Sequence, residues 1–384
     1  MLSQLVASLP ADERDDMSPT TMAEATSFAA SFAEGYGNVQ LVLPTVDTGE
    51  GRVGTTTTTT ATQQQPVILR NIPYVAGTRE AKQHLDVYLP ANPAGAPLIL
   101  HIHGGGWQRG DRATKFYGAP AMSAGYAAMG FVAVAPSYRL GNDETILADL
   151  TTAIAFTLNH LPSLDPRLGH VDLSRVYLSG HSAGGHMAAL LLSDTARLDA
   201  VGVPHAIFKG AFLVSGIYTL RNPFGEKFGY WKNGLFQQAY VERTFRPHNF
   251  DLCSPTYRIV QAVGDATERS ALSLRTHKPP RRWFGSTSSS GQGSTQTPAE
   301  DEGPTAAAVH RIQLLQIPVL VLSASSDLGL EYDASYLCSM LQKYGSPMSR
   351  HVTIPNTWHR SICEAPATFR EIEQALHSWL GVRT

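Results

Sequence analysis

The chain has 384 residues, of which 43% are hydrophobic, enough to bury the core of one large α/β domain or two small ones. Its net charge is −2, from 30 basic and 32 acidic side chains, so no global field draws it to nucleic acid or to an anionic membrane, and a small molecule is the expected partner. Three cysteines, Cys253, Cys338 and Cys363, are too few and too scattered for a disulfide framework or a zinc site, which points to a reducing, cytoplasmic setting.

Residues 1–65 read as a weakly ordered N-terminal extension: a short helix over Thr21 to Glu34, then the threonine run Thr55 to Thr60 and Gln63 to Gln65. Such polar low complexity cannot bury enough surface to order itself. The opening residues lack the basic start and long apolar core of a secretory leader. No apolar run is long enough to cross a bilayer, which leaves peripheral membrane contact open.

Residues 66–384 read as one α/β domain. Val67–Leu69 and His84–Leu89 are expected strands, and Pro97–His103 is apolar enough to be central in a sheet covered on both faces. It runs into Gly104-Gly105-Gly106-Trp107. A helix over Ala119–Met129, a strand over Val132–Ala135 and a helix with Ile146, Leu150, Ala153, Ile154 and Leu158 on one face follow. This alternation predicts a mostly parallel central sheet with helices on both faces.

Val176–Leu192 reads as strand, sharp turn and helix, and Ala211–Val214 as another strand. Residues 217–257 lose the period and gain aromatics, including Tyr218 and Trp231. They form either a small cap over a pocket or a helical hairpin packed on the core. Residues 264–308 read as a disordered polar insertion, with Arg281 to Phe284 as a docking spot or an ordinary solvated loop. The sheet resumes at Pro318–Ser323. A helix over Asp333–Tyr344, a strand over His351–Pro355 and a helix over Ala365–Leu380 close the chain.

Ser182 sits at the apex of the strand-turn-helix unit, flanked by Gly180 and Gly184 in a G-x-S-x-G spacing. That is a nucleophile elbow: a side chain at either glycine would crowd a turn that holds the serine in a strained conformation. A serine hydroxyl needs a base to take its proton, and the base needs an acid to fix its tautomer. Asp327 follows the strand ending at Ser323, and His359 follows the strand over His351–Pro355, so both fall beyond strand ends and after the serine. Glu331 and Asp333 are weaker candidates for the acid, lying further from the strand end, and His351 begins a strand instead of following one.

Amide donors for an oxyanion are expected from Gly104, Gly105 and Gly106 and from Ala183, next to the nucleophile. His103 is expected to anchor that loop, and His186 to pack behind the serine. Two histidines on one strand face, His101 and His103, raise a metal reading, but glycines stand where a metallohydrolase would place its acid, so no metal and no cofactor are expected.

His103-Gly104-Gly105-Gly106-Trp107-Gln108 with Gly110, Gly180 to His186, and Phe212 to Tyr218 together resemble the α/β-hydrolase branch that contains kynurenine formamidase (arylformamidase) and the isoprenylcysteine methylesterase-like carboxylesterases. The resemblance covers about Val67 to Leu380 apart from the insertion. It implies an α/β-hydrolase fold and a cofactor-free serine hydrolase using Ser182, Asp327 and His359; Trp107, Tyr218 and Trp231 are separately expected to line the substrate pocket. The H-G-G-x-W-Q block is closer to the formamidases, whereas Ser325-Ser326-Asp327 with Asp333-Ala334-Ser335 is similar to the methylesterase-like group. The expected function is cleavage of apolar or aryl carboxylic esters, including a prenylcysteine methyl ester. The alternatives are hydrolysis of N-formylkynurenine and a catalytically silent binding module. A homodimer is compatible with all three.

Overall fold

A computed structural model describes residues 67–220, 240–265, 268–269, 312–327, 329–363 and 366–380. The expected extension over 1–65, Trp231 and all but the first few residues of the 264–308 insertion lie outside these residues.

Short apolar runs bounded by proline, glycine and charged residues form eight strands. They are β1 (Val67–Pro73), β2 (His84–Leu89), β3 (Pro97–Ile102), β4 (Val132–Pro136), β5 (Asp172–His181), β6 (Phe208–Val214), β7 (Val319–Ser326) and β8 (Arg350–Trp358). The sheet order is β1-β2-β4-β3-β5-β6-β7-β8. β2 is antiparallel to β1 and β4, and every pairing from β4 to β8 is parallel.

The parallel crossovers carry α1 (Ala119–Ala128), α2 (Asp143–Leu164), α3 (Ala183–Ser193), α4 (Pro255–Val263) and α5 (Leu330–Tyr344), and α6 (Pro366–Leu380) follows β8. Met122 and Tyr126 of α1 and Ile372, Leu376 and Trp379 of α6 share a buried cluster with Ile99, Tyr177, Phe212 and Leu322 on one face of the sheet. Strand side chains alternate between faces, so Leu98, Leu100, Leu178 and Leu213, also buried, face the other side.

Parallel strands share one C-terminal edge. The Gly104 loop after β3, Ser182 after β5, Ser215 after β6, Asp327 after β7 and His359 after β8 therefore all emerge on the same side of the sheet.

Three elements run past what the sequence marks. Asn356 to Trp358, expected beyond the strand end, belong to β8. A bulge accommodates them: Ala324 pairs with Ile354 but Ser326 with Trp358, and Asn356 takes φ 55° to absorb the extra residues. α2 runs on to Leu164 through Pro162 in its last turns, held at its start by the Asn142 side chain, which accepts from the Thr145 N–H at 2.9 Å. The stretch from residue 264 begins with structure, since Lys343 of α5 pairs with Asp265 at 3.3 Å and Glu268 at 3.0 Å.

Candidate active site

Steric exclusion shapes the turn around Ser182. A Cβ on Gly184 would overlap the carbonyl oxygens of Ile102 and His103, and one on Gly180 would overlap the Gly184 main chain. With both positions bare, β5 turns directly into α3, and Ser182 adopts φ 55°, ψ −120°. A non-glycine residue there stores strain of about 1–3 kcal/mol. β6 holds the turn in place, because the Ser182 N–H donates to the Val214 carbonyl at 2.9 Å.

Three side chains from β5, β7 and β8 meet at this turn. The His359 Nε2 lies 2.9 Å from the Ser182 Oγ, and its Nδ1 lies 2.7 Å from the Asp327 Oδ1. Asp327 is fully buried and its other oxygen accepts the Ala324 N–H at 3.2 Å. A carboxylate can only accept, so the His359 proton sits on Nδ1 and leaves Nε2 as acceptor for the serine hydroxyl. The loop ends are tied together one step back: the Ser325 hydroxyl donates to the Thr357 carbonyl at 3.0 Å and accepts the Thr357 N–H at 3.1 Å.

The other titratable candidates have different work. Asp333 is buried and accepts the N–H groups of Tyr218 at 2.6 Å and Thr219 at 3.1 Å and the Thr219 hydroxyl at 2.7 Å, fastening the segment after β6 to α5. Burial pushes the Glu331 carboxyl above its ordinary range. His351 is bonded to the Ser323 hydroxyl at 2.9 Å.

Gly105 at φ 113° and Gly106 at φ 59° turn the loop after β3 back on itself, a path that a Cβ disfavours. Gly104 departs from expectation. Its N–H donates to the Tyr117 carbonyl at 3.0 Å, so this amide is already spent on closing the loop, and the candidate oxyanion donors narrow to Gly105, Gly106 and Ala183. Ala183 opens α3, where an N–H has no partner within the helix. His103 anchors the loop as expected, donating from Nδ1 to the Gly104 carbonyl at 2.7 Å and stacking on Tyr138 at 4.2 Å.

Trp107 and Tyr218 have no exposed surface. The Trp107 indole donates to the His186 Nδ1 at 3.2 Å and its ring stands edge-on to Phe245 at 5.0 Å. His186 in turn donates from Nε2 to the Cys253 carbonyl at 2.7 Å. Trp107 and His186 thus couple the glycine loop and α3 to the segment before α4.

One contact has no counterpart in the sequence reading. The His181 Nε2 donates to the main-chain carbonyl of His359 at 2.8 Å. The signal that points to it is a polar ring at a strand position between buried neighbours, which demands a partner. Burial draws His101 and His181 down to about 3 and His103 to about 4, so the imidazoles beneath the site stay neutral. His101 is bonded to the Ser179 hydroxyl at 2.9 Å. Among the described residues, no group of three or more His, Cys, Asp or Glu is placed to hold a metal ion, and no helix is long and apolar enough to cross a membrane.

Residues 85–202 match the BD-FAE family model. The chain is 35% identical over 157 residues to a kynurenine formamidase of Salmo salar, which covers 40% of this chain and 47% of that protein. It is 29% identical over 204 residues to a probable isoprenylcysteine alpha-carbonyl methylesterase of Oryza sativa, covering 51% of this chain and 44% of that one. The chain thus spans about half the length of the curated relatives it matches. Among solved structures, esterase B of Lactobacillus rhamnosis superposes with a TM-score of 0.55 at 15% identity, covering 94% of this chain and 93% of that one. A carbohydrate esterase from gut microbiota superposes with a TM-score of 0.52 at 12% identity, covering 83% and 98%. The likeness to a family model is thus confined to residues 85–202, and the likeness to the solved structures is one of fold: the chain has the α/β-hydrolase fold.

Proposed function

We propose that the protein is a serine hydrolase that cleaves carboxylic esters through an acyl-enzyme. The observation that carries this reading is the relay from Asp327 through His359 to Ser182, at 2.7 Å and 2.9 Å, beside the unpaired amides of a glycine loop. The Ser182 Oγ attacks the ester carbonyl carbon while His359 Nε2 takes its proton, and the carbonyl π electrons move onto oxygen. The N–H groups of Ala183 and of Gly105 or Gly106 hold that oxyanion, each such donor being worth about 3 kcal/mol of barrier. The intermediate collapses, the carbon–oxygen bond to the alcohol breaks, and His359 returns its proton to the leaving oxygen. Water then repeats the cycle on the acyl-serine, releasing the acid and restoring Ser182. Asp327 stays ionised and stabilises the imidazolium.

The substrate is a small apolar or aryl ester. A second reading, hydrolysis of an arylformamide such as N-formylkynurenine, uses the same groups with a nitrogen leaving group, and the 35% identity to a kynurenine formamidase favours keeping it. Three cysteines that are all free and buried suit a reducing compartment such as the cytoplasm. The catalytic unit is residues 66–384, with 217–257 as its cap.

Purified protein is assayed on short p-nitrophenyl esters, a prenylcysteine methyl ester and N-formylkynurenine, alongside Ser182→Ala. The variant is expected to lose at least about 10⁴-fold in kcat. Wild-type rates from the alanine variant, or no labelling of Ser182 by a fluorophosphonate, overturn the reading.

A further inference from the structure

We propose that His181 is a positioning residue for the base: its side chain, one residue before Ser182, holds the main chain of His359 and so sets the distance between the imidazole and the hydroxyl. This inference rests on the ester-hydrolase reading above and adds a residue to it.

The His181 Nε2–H reaches the His359 carbonyl at 2.8 Å across 178 positions of sequence. Because a carbonyl only accepts, the proton of the neutral ring is fixed on Nε2. The two rings lie 5.1 Å apart at 38°, so His181 sits under the base without reaching its nitrogens. Its own main chain is locked in the sheet opposite Val214, and only 4% of the residue is exposed. The anchor is therefore rigid at both ends: the strand that delivers the nucleophile also holds the loop that delivers the base.

A second set of contacts extends the same role to the glycine loop. A Cβ on Gly104 would lie 3.0 Å from the His181 carbonyl oxygen, 3.1 Å from its Nδ1 and 3.2 Å from the Ser182 Cβ. The start of the loop thus rests directly on His181. One side chain braces three parts of the site that arrive from β3, β5 and β8. Its ring, drawn down to about 3 by burial, stays uncharged when an imidazolium forms on His359, so it supports that loop without repelling it.

A hydrogen bond of this kind matters through geometry, since a displacement of about 1 Å between reacting groups costs roughly 10²-fold in rate. The test compares three variants on a p-nitrophenyl ester, with melting temperature measured on each. His181→Gln keeps an N–H near the position of the imidazole Nε2, His181→Asn keeps polarity but is too short to reach the carbonyl, and His181→Leu has neither. The glutamine variant is expected within about threefold of wild type. The asparagine and leucine variants are expected to lose about 10- to 100-fold in kcat, with KM within about threefold and fluorophosphonate labelling of Ser182 slowed in parallel. Folded asparagine or leucine variants with wild-type kcat overturn the inference, and so does a glutamine variant as slow as the asparagine one. If leucine prevents folding, the glutamine and asparagine pair still decides the matter. Wild-type protein that cleaves none of these esters and leaves Ser182 unlabelled overturns the hydrolase reading itself, a result separable from indifference to residue 181.

Discussion

Ser325 and Thr357 hold each other across the ends of β7 and β8, the Ser325 hydroxyl donating to the Thr357 carbonyl at 3.0 Å and accepting the Thr357 N–H at 3.1 Å. Ser325 stands two residues before Asp327 and Thr357 two before His359, so this clasp fixes the spacing of the two strands where the acid and the base leave them. Ser325→Ala removes both bonds, each worth about 1 kcal/mol. On the proposed chemistry kcat falls by about tenfold and the melting temperature drops by a few degrees. Steady-state kinetics with calorimetry check this, and an unchanged kcat in a destabilised variant would show the clasp to be structural only.

Asp327→Asn probes the relay. The carboxylate faces two donors, the His359 Nδ1–H and the Ala324 N–H at 3.2 Å. An amide has one acceptor oxygen, so one donor must meet an NH₂. The imidazole escapes the clash by moving its proton to Nε2, where it can no longer accept from Ser182. The expected loss in kcat is about 10⁴-fold with the fold retained. Activity within tenfold of wild type would move the acid to another residue.

Asp333→Ala separates Asp333 from Asp327, both fully buried, by what fails. Asp333 satisfies two main-chain N–H groups and a hydroxyl in the segment after β6. Its loss leaves buried donors unpaired at about 1–3 kcal/mol each. Chemical denaturation is expected to show a large drop in stability, while kcat in the folded fraction stays within a few-fold. A stable but inactive variant would contradict this division of labour.

Stability should decline on the acid side of neutrality. His101 and His181 are drawn to about 3 and His103 to about 4 by burial, below the ordinary value of about 6.5. Between pH 6.5 and 4 the unfolded chain takes up protons that the native rings refuse, so their contribution is complete above pH 6.5 and lost as pH falls through that window. Urea midpoints at pH 7.5, 6 and 5 are expected to fall in that order. A flat profile would mean that these rings are charged or water-accessible in the native state.

The parts of this molecule that can be read from its sequence are those governed by local sterics and period. Gly180 and Gly184 announce the turn because the space a Cβ would fill there is taken by nearby backbone, and the strand and helix runs follow from apolar spacing. Asp327 and His359 are legible through chain order and strand ends. What escapes is set by partners far along the chain. The bond from His181 to a carbonyl 178 residues away leaves no pattern of spacing. The Gly104 amide looks available until Tyr117 folds over it. The β8 bulge escapes because Asn356 is a turn-forming residue, and only pairing with β7 carries the strand past it to Trp358.

The stretch that matches a family model, residues 85–202, contains the glycine loop and Ser182 but stops before β7 and β8. The match therefore covers the proposed nucleophile and oxyanion loop but neither the proposed acid nor the proposed base. A cousin that kept this middle and had decayed only beyond position 319 would still be recognised as kin and would still present a strained hydroxyl, yet nothing would be there to take its proton. On the proposed chemistry, the far end of the sheet is where a survey of such chains should look first.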